Sequence, residues 1–180
     1  MYYLPGWSGQ LHTGLGQGLL SRGFDVTGRE TRDVFKDMDF SDQVATVQDD
    51  LRAQFWASDS IVIGNSFGGY LFLNAQAGLP PYPGKVLLLS PIVGGFADES
   101  TGRMFSPPKD GFIRSLAENG TFPAPLNCEV HTGEQDWQSH PELVGSFFGL
   151  LGIGVAVAKN RGHMLGEDYV SPVLNKFLTG

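Results

Sequence analysis

The residues whose order carries the most chemical information are Gly64-Asn65-Ser66-Phe67-Gly68-Gly69, directly after the β-branched run Ile61-Val62-Ile63. A G-x-S-x-G turn between a strand and a helix holds the serine on a sharp bend. Its Oγ then stands clear of the sheet, and the flanking glycines relieve the crowding. The first amides of the following helix also point at whatever carbonyl the serine attacks, where they can stabilise an oxyanion. Ser66 is therefore the candidate nucleophile. The amide of Phe67, directly after it, is a candidate oxyanion donor. In a chain with 25 glycines the same string also arises as an ordinary tight turn. The strand-turn-helix context is what favours the chemical reading.

The other reactive side chains are less informative. The four histidines, His12, His131, His140 and His163, are scattered without metal-ligand spacing, so neither a metal site nor a cofactor is expected. His131 falls inside a strand and reads as structural, and His140 belongs to a capping turn. His12 follows the first glycine turn and is a candidate pocket residue. The single cysteine, Cys128, excludes an internal disulfide. It opens a short strand and reads as a buried residue rather than a catalytic thiol.

Elements that can position Ser66 follow from the alternation of apolar runs and amphipathic stretches. Strands are expected at Tyr2 to Leu4, Phe24 to Thr27, Ile61 to Ile63, Val86 to Leu89, Cys128 to Thr132 and Gly154 to Ala158. Helices are expected over Leu11 to Arg22, Ser41 to Trp56, and Phe67 to Ala77, the last stopping at Gly78 before Pro80-Pro81. Ser139-His140-Pro141-Glu142 reads as a capping box that opens a helix running to about Leu151. A last helix carries Val170, Val173, Leu174, Phe177 and Leu178 as its apolar stripe. Short apolar strands alternating with helices predict an α/β three-layer sandwich, a mostly parallel six-stranded sheet with helices on both faces. Sites in such sheets lie beyond the carboxyl ends of the strands. That points to the loops after Leu4, Ile63, Leu89, Thr132 and Ala158.

With these motifs in place the sequence resembles the α/β-hydrolase family over nearly its whole length. The resemblance implies an acid after a later strand and a histidine near the C-terminus, in the order Ser, Asp, His. Thr132-Gly133-Glu134-Gln135-Asp136-Trp137 is similar to the family's acid loop, and Asn160-Arg161-Gly162-His163-Met164 to its histidine loop. The resemblance therefore assigns Asp136 as the orienting acid and His163 as the base. Glu134 and Asp98 are the rival acids, and Asp136 taken alone also reads as a turn or cap residue. The second oxyanion donor would come from the loop Pro5-Gly6-Trp7-Ser8-Gly9, with Trp7 the aligned position and Ser8 the alternative. This loop departs from the His-Gly start that many relatives have. The sheet also starts at the family's third strand, so the first hairpin is missing, and the expected local strand order is 2-1-3-4-5-6. Only residues 91–111 offer a cover over the site. Candidate pocket residues are His12, Ile92, Phe96, Phe105, Trp137 and Met164.

Composition sets the remaining bounds. The 180 residues suit one domain, 1–180, and 41% hydrophobic with 17% charged residues suits a packed core. A net charge of −7 repels phosphate backbones, so a nucleic-acid partner is not expected. No apolar stretch is long enough to span a bilayer, and no secretory signal is visible, so the expected location is cytoplasmic. The expected function is hydrolysis of a small or medium acyl ester or thioester through an acyl-enzyme, with a small-molecule ester or thioester as the expected substrate. The rival is a non-catalytic ligand- or partner-binding protein on the same fold.

Overall fold

Side chains along the central strands alternate between two apolar layers, as a pleated strand requires. Tyr2, Leu4, Val62, Val86 and Leu88 join one buried cluster, and Tyr3, Ile63, Leu87 and Leu89 join the other. The sheet is thus covered on both faces. A computed structural model describes residues 1–98 and 102–180.

The elements run β1 (Tyr2–Leu4), α1 (Leu15–Leu20), β2 (Thr27–Gly28), α2 (Asp33–Asp37), α3 (Phe40–Gln54), β3 (Ile61–Asn65) and α4 (Phe67–Gln76). They continue with β4 (Lys85–Leu89), β5 (Phe96–Asp98), β6 (Arg103–Phe105), α5 (Phe112–Glu118), β7 (Asn127–Gly133), α6 (Pro141–Leu150), β8 (Val155–Ala158) and α7 (Glu167–Thr179). Six strands form one parallel sheet in the order β2-β1-β3-β4-β7-β8, the order expected from the sequence. β5 and β6 make a separate antiparallel hairpin. Residues of α1 and α7 pack in the layer with Tyr3 and Ile63, while α3, α4, α5 and α6 pack in the layer with Tyr2 and Val62.

The chain leaves β1 outward to β2 and returns to β3 on the other side. The order therefore reverses between β1 and β3, and a crevice opens beyond their carboxyl ends. Ser66 follows β3 and Gly6 follows β1, so both line this switch point. The fit is tight. A Cβ on Gly68 would lie 1.9 Å from the Leu4 carbonyl oxygen, because α4 packs its first turn directly on the end of β1. Neither backbone has room to move. Gly68→Ala is expected to destabilise the protein by about 1–3 kcal/mol, read as a lower urea midpoint at unchanged slope.

Three local expectations from the sequence are not met. The second strand is Thr27–Gly28, not Phe24 to Thr27. Its ladder is limited to Tyr2 and Tyr3, and Gly28 lets the backbones approach, since a Cβ there would meet the Tyr3 carbonyl at 1.8 Å. The first helix is Leu15–Leu20 rather than Leu11 to Arg22. The Leu11 amide is taken by the Glu30 carboxylate, and Gly14 at φ +51 breaks the run before Leu15. The capping box at Ser139 does not form. His140 is the N-cap with no side-chain bond, Pro141 opens α6, and the Ser139 hydroxyl donates to the Ser90 carbonyl instead. The expected cover over 91–111 lies in part, at 99–101, outside the described residues. Its flanks form the β5–β6 hairpin.

Candidate active site

Ser66 occupies the bend between β3 and α4 with φ +52 and ψ −117, a left-handed backbone that serine adopts only under constraint. The constraint is visible. The Ser66 amide donates to the Leu89 carbonyl, and the Ser66 carbonyl accepts from Ile92 and from Tyr70 in the next turn of α4. Gly64 is required here too, because a Cβ on it would meet the Gly69 Cα at 2.9 Å. The residue is 8% exposed.

Asp136 and His163 come from loops that the backbone stitches together. The Glu134 amide donates to the Ala158 carbonyl and the Gln135 amide to the Arg161 carbonyl, at 2.9 and 2.8 Å. The Glu134 carboxylate accepts the Asn160 amide at 3.0 Å. A salt bridge from Arg161 to Asp168 ties the histidine loop to α7. Glu134, the first rival acid, thus holds the loop of His163 rather than its ring. Asp98, the second, sits on β5 opposite Arg103.

The ring of His163 bridges the other two groups. Its Nδ1 lies 3.0 Å from each Asp136 oxygen, and its Nε2 lies 2.8 Å from Ser66 Oγ. Asp136 is 1% exposed. Burial alone would raise its pKa, but the hydrogen bond and charge of His163 and the Ser139 amide together hold it below the ordinary value of 3.8. Its Oδ1 accepts the Gln138 amide at 3.0 Å and the Ser139 amide at 2.8 Å. The Ser139 hydroxyl is in turn anchored to the Ser90 carbonyl, which fixes the turn to the end of β4. With Asp136 ionised, the ring proton sits on Nδ1, and the Nε2 lone pair faces the serine hydroxyl.

Two amides flank this serine. That of Phe67 is the first of α4, and that of Trp7 lies in the loop after β1. A Cβ on Gly6 would sit 3.3 Å from Ser66 Cβ, so this loop runs beside the serine. Among the described residues no hydrogen bond engages either amide. The Ser8 amide donates to the Thr31 carbonyl at 3.0 Å, which leaves Trp7 the available donor of the two weighed from the sequence. The Trp7 ring is 54% exposed, meets Phe67 edge-on at 4.8 Å and carries Lys36 over its face.

A cavity of about 860 Å³ opens from Ser66 and His163 and descends between α1 and α7. Tyr3 and Leu89 line it from the sheet, Leu15 from α1, and Val170 and Leu174 from α7. Of the pocket residues expected from the sequence, only Met164 lines it. His12 is exposed and does not line it. Ile92 is buried in the core beneath the opposite face. Phe96 stacks on Phe105 at 5.0 Å and meets Trp137 edge-on at 5.3 Å, so these three rings close on one another. The residues missed include Arg22, just past the end of α1, and Ser171 on α7. Gly14, the N-cap of α1, and Gly18 within it were the available signal, because small residues leave room beside a helix.

The remaining histidines are outside this site. His131 bridges Tyr169 and Glu129 at 2.8 and 2.7 Å, and His140 is exposed at the start of α6. Cys128 is half-buried on β7, where burial pushes its thiol up to about 12 and Glu129 adds to the shift. Among the described residues no group of three metal-ligating side chains converges, and no helix is long and apolar enough to cross a membrane.

No family model matches the chain, and no curated protein matches it. Solved structures do. The ydeN gene product of B. subtilis is 11% identical with a TM-score of 0.67, over 99% of this chain and 98% of that one. MGS-MChE2, an α/β hydrolase enzyme from sediment of the Mar Chica lagoon in Morocco, is 15% identical with a TM-score of 0.69, over 99% and 89%. A structure from work on carboxylesterases of Nitrososphaera gargenis is 13% identical with a TM-score of 0.63, over 99% and 89%. At these identities the likeness is one of fold, and the fold is that of the α/β-hydrolases.

Proposed function

We propose that this chain, built on the α/β-hydrolase fold, is a serine hydrolase that cleaves a small or medium acyl ester or thioester. The observation that carries the reading is the hydrogen-bonded series Ser66–His163–Asp136, with Nε2 2.8 Å from Oγ on a strained strand-to-helix turn. Carboxylesterases among the structures of like fold add support.

In this reading Ser66 Oγ attacks the acyl carbonyl carbon and passes its proton to His163 Nε2. The carbonyl oxygen becomes an oxyanion held by the amides of Phe67 and Trp7. Asp136 keeps the imidazole in the productive tautomer and stabilises the imidazolium that forms. Collapse of the tetrahedral species breaks the bond to the leaving alcohol or thiol, which takes the proton from His163. Water then attacks the acyl-serine carbonyl while His163 accepts its proton. A second collapse releases the acid and returns the proton to Ser66. No step calls for a metal or an organic cofactor.

The test is intact mass after exposure to a fluorophosphonate. One adduct on the wild type and none on Ser66→Ala is the expected result, followed by turnover of short-chain p-nitrophenyl esters. A folded wild type that takes no adduct would overturn the reading and favour a binding protein.

A further inference from the structure

The cavity that starts at Ser66 ends on a cation. Arg22 lines its far part, just beyond the end of α1. Arg29, Arg32, Arg52, Arg114 and Arg161 each face a carboxylate. The hydrogen bonds of Arg22 all end on neutral oxygens. Its Nε donates to Asn175 Oδ1 at 2.8 Å and its Nη1 to the Gly18 carbonyl at 2.7 Å. Its Nη2 donates to Ser171 Oγ at 2.5 Å and to the Ser171 carbonyl at a long 3.4 Å. A guanidinium has five N–H groups, so one on Nη1 is left without an acceptor among the described residues. Ser171 Oγ accepts from Arg22, so its own proton is free to be donated, and Ser171 also lines the cavity.

The depth of this pair follows from the helices. The bond to Gly18 folds the arginine back along α1, to a level four residues past Gly14. Ser171 lies four residues past Glu167, at the start of α7. Both helices begin at the site end of the sheet, so the charged head lies about 6 Å, one helical turn, below their starts. Leu15, Leu165 and Val170 supply apolar wall between the site and this pair, with Leu174 one turn past Ser171 and Gln17 adding a polar side chain from α1. Glu167 is the one carboxylate on the lining; it is exposed and stands one turn above Ser171.

We infer that Arg22 and Ser171 form a subsite for a carboxylate carried by the substrate itself, so that the preferred ester or thioester is one bearing a terminal acid a few carbons from the scissile carbonyl. The inference rests on the hydrolase reading for the reaction, but not for the binding of the acid. One free N–H and one hydroxyl match the two oxygens of a carboxylate. A dianionic phosphate would be only half neutralised by a single cation, in a wall that also carries Glu167. The shared chemistry is a carboxylate, on either the acyl or the alcohol portion.

The experiment compares kcat/KM for mono-p-nitrophenyl glutarate with its methyl-capped ester, and for the acetyl ester of 4-hydroxybutyrate with its methyl ester. The first pair places the acid on the acyl side, the second on the alcohol side. The expected result is a preference for the acid of at least about tenfold in one pair, the worth of a charge-assisted hydrogen bond. Arg22→Gln should bring that ratio to one or below. So should Ser171→Asp, which neutralises Arg22 internally and keeps the link between α1 and α7. A ratio of one or less in both wild-type pairs, or a preference that survives both variants, would overturn the subsite. Loss of activity on acid and neutral esters alike would make Arg22 a strut only. Glutarate itself gives a readout that needs no turnover: it should raise Tm for the wild type and not for Ser171→Asp. If that shift is seen in a protein that takes no fluorophosphonate, the hydrolase reading fails and the subsite stands. Labelling without acid preference or glutarate shift would mean the reverse.

Discussion

Exchanging Asp136 for asparagine is expected to lower kcat by about 10⁴-fold with little change in the Ser66 turn. Among the described residues the carboxylate alone takes the proton side of His163 Nδ1, through both of its oxygens at 3.0 Å. An amide in that place can present its NH2 to the ring, which drives the proton to Nε2 and removes the lone pair that must accept the serine proton. Steady-state rates on p-nitrophenyl acetate would read the effect. A fall of less than tenfold would mean that another acid orients the base, and Glu134 would be the next to replace. The same exchange changes how stability depends on pH. The folded pKa of Asp136 lies below its ordinary value, so its ionised form stabilises the fold above the ordinary carboxylate range. That contribution is lost as pH falls through the lower folded value. The wild type should therefore lose stability on acidification below about pH 4, where the asparagine variant lacks this component. Urea midpoints across pH 2–6 compare the two.

Ser66→Gly and Ser66→Ala should both lose about 10⁶-fold in kcat, because no nucleophile remains. They should differ in stability. Ser66 is held at φ +52, where a Cβ is strained and glycine is not. Alanine keeps that strain and glycine releases it, so the glycine variant should be the more stable of the two by about 1 kcal/mol. Equal urea midpoints would mean that the turn is not strained in solution. The comparison separates the energy stored in the backbone from the chemistry of the hydroxyl.

Much of the architecture was legible because it rests on local signals. The β-branched run before Gly64 and the amphipathic stretch after it are read within a dozen residues, and so is the turn between them. The alternation of strands and helices then leaves few right-handed arrangements, and the observed strand order is the one expected. Errors fell where a distant residue competed for a local group. Glu30 takes the Leu11 amide and shortens α1. The Ser90 carbonyl, just past the end of β4, takes the hydroxyl that would have capped α6.

Sequence by itself determined which loops reach the carboxyl edge of the sheet, and the family resemblance assigned Ser66, Asp136 and His163 to three of them, after β3, β7 and β8. Motif and chain order are enough for that, because parallel strands deliver every such loop to the same edge. Only the tertiary structure decided where a substrate has room. From the sequence, residues 91–111 were the candidate cover, and the apolar stripes of the first and last helices read as packing faces. In the fold, Phe96, Phe105 and Trp137 close on one another. The space is left instead between α1 and α7, with Arg22 and Ser171 on its wall. A void is a property of how faces meet, set by the distance between two helices that are about 150 residues apart in the chain, and no local pattern encodes that distance.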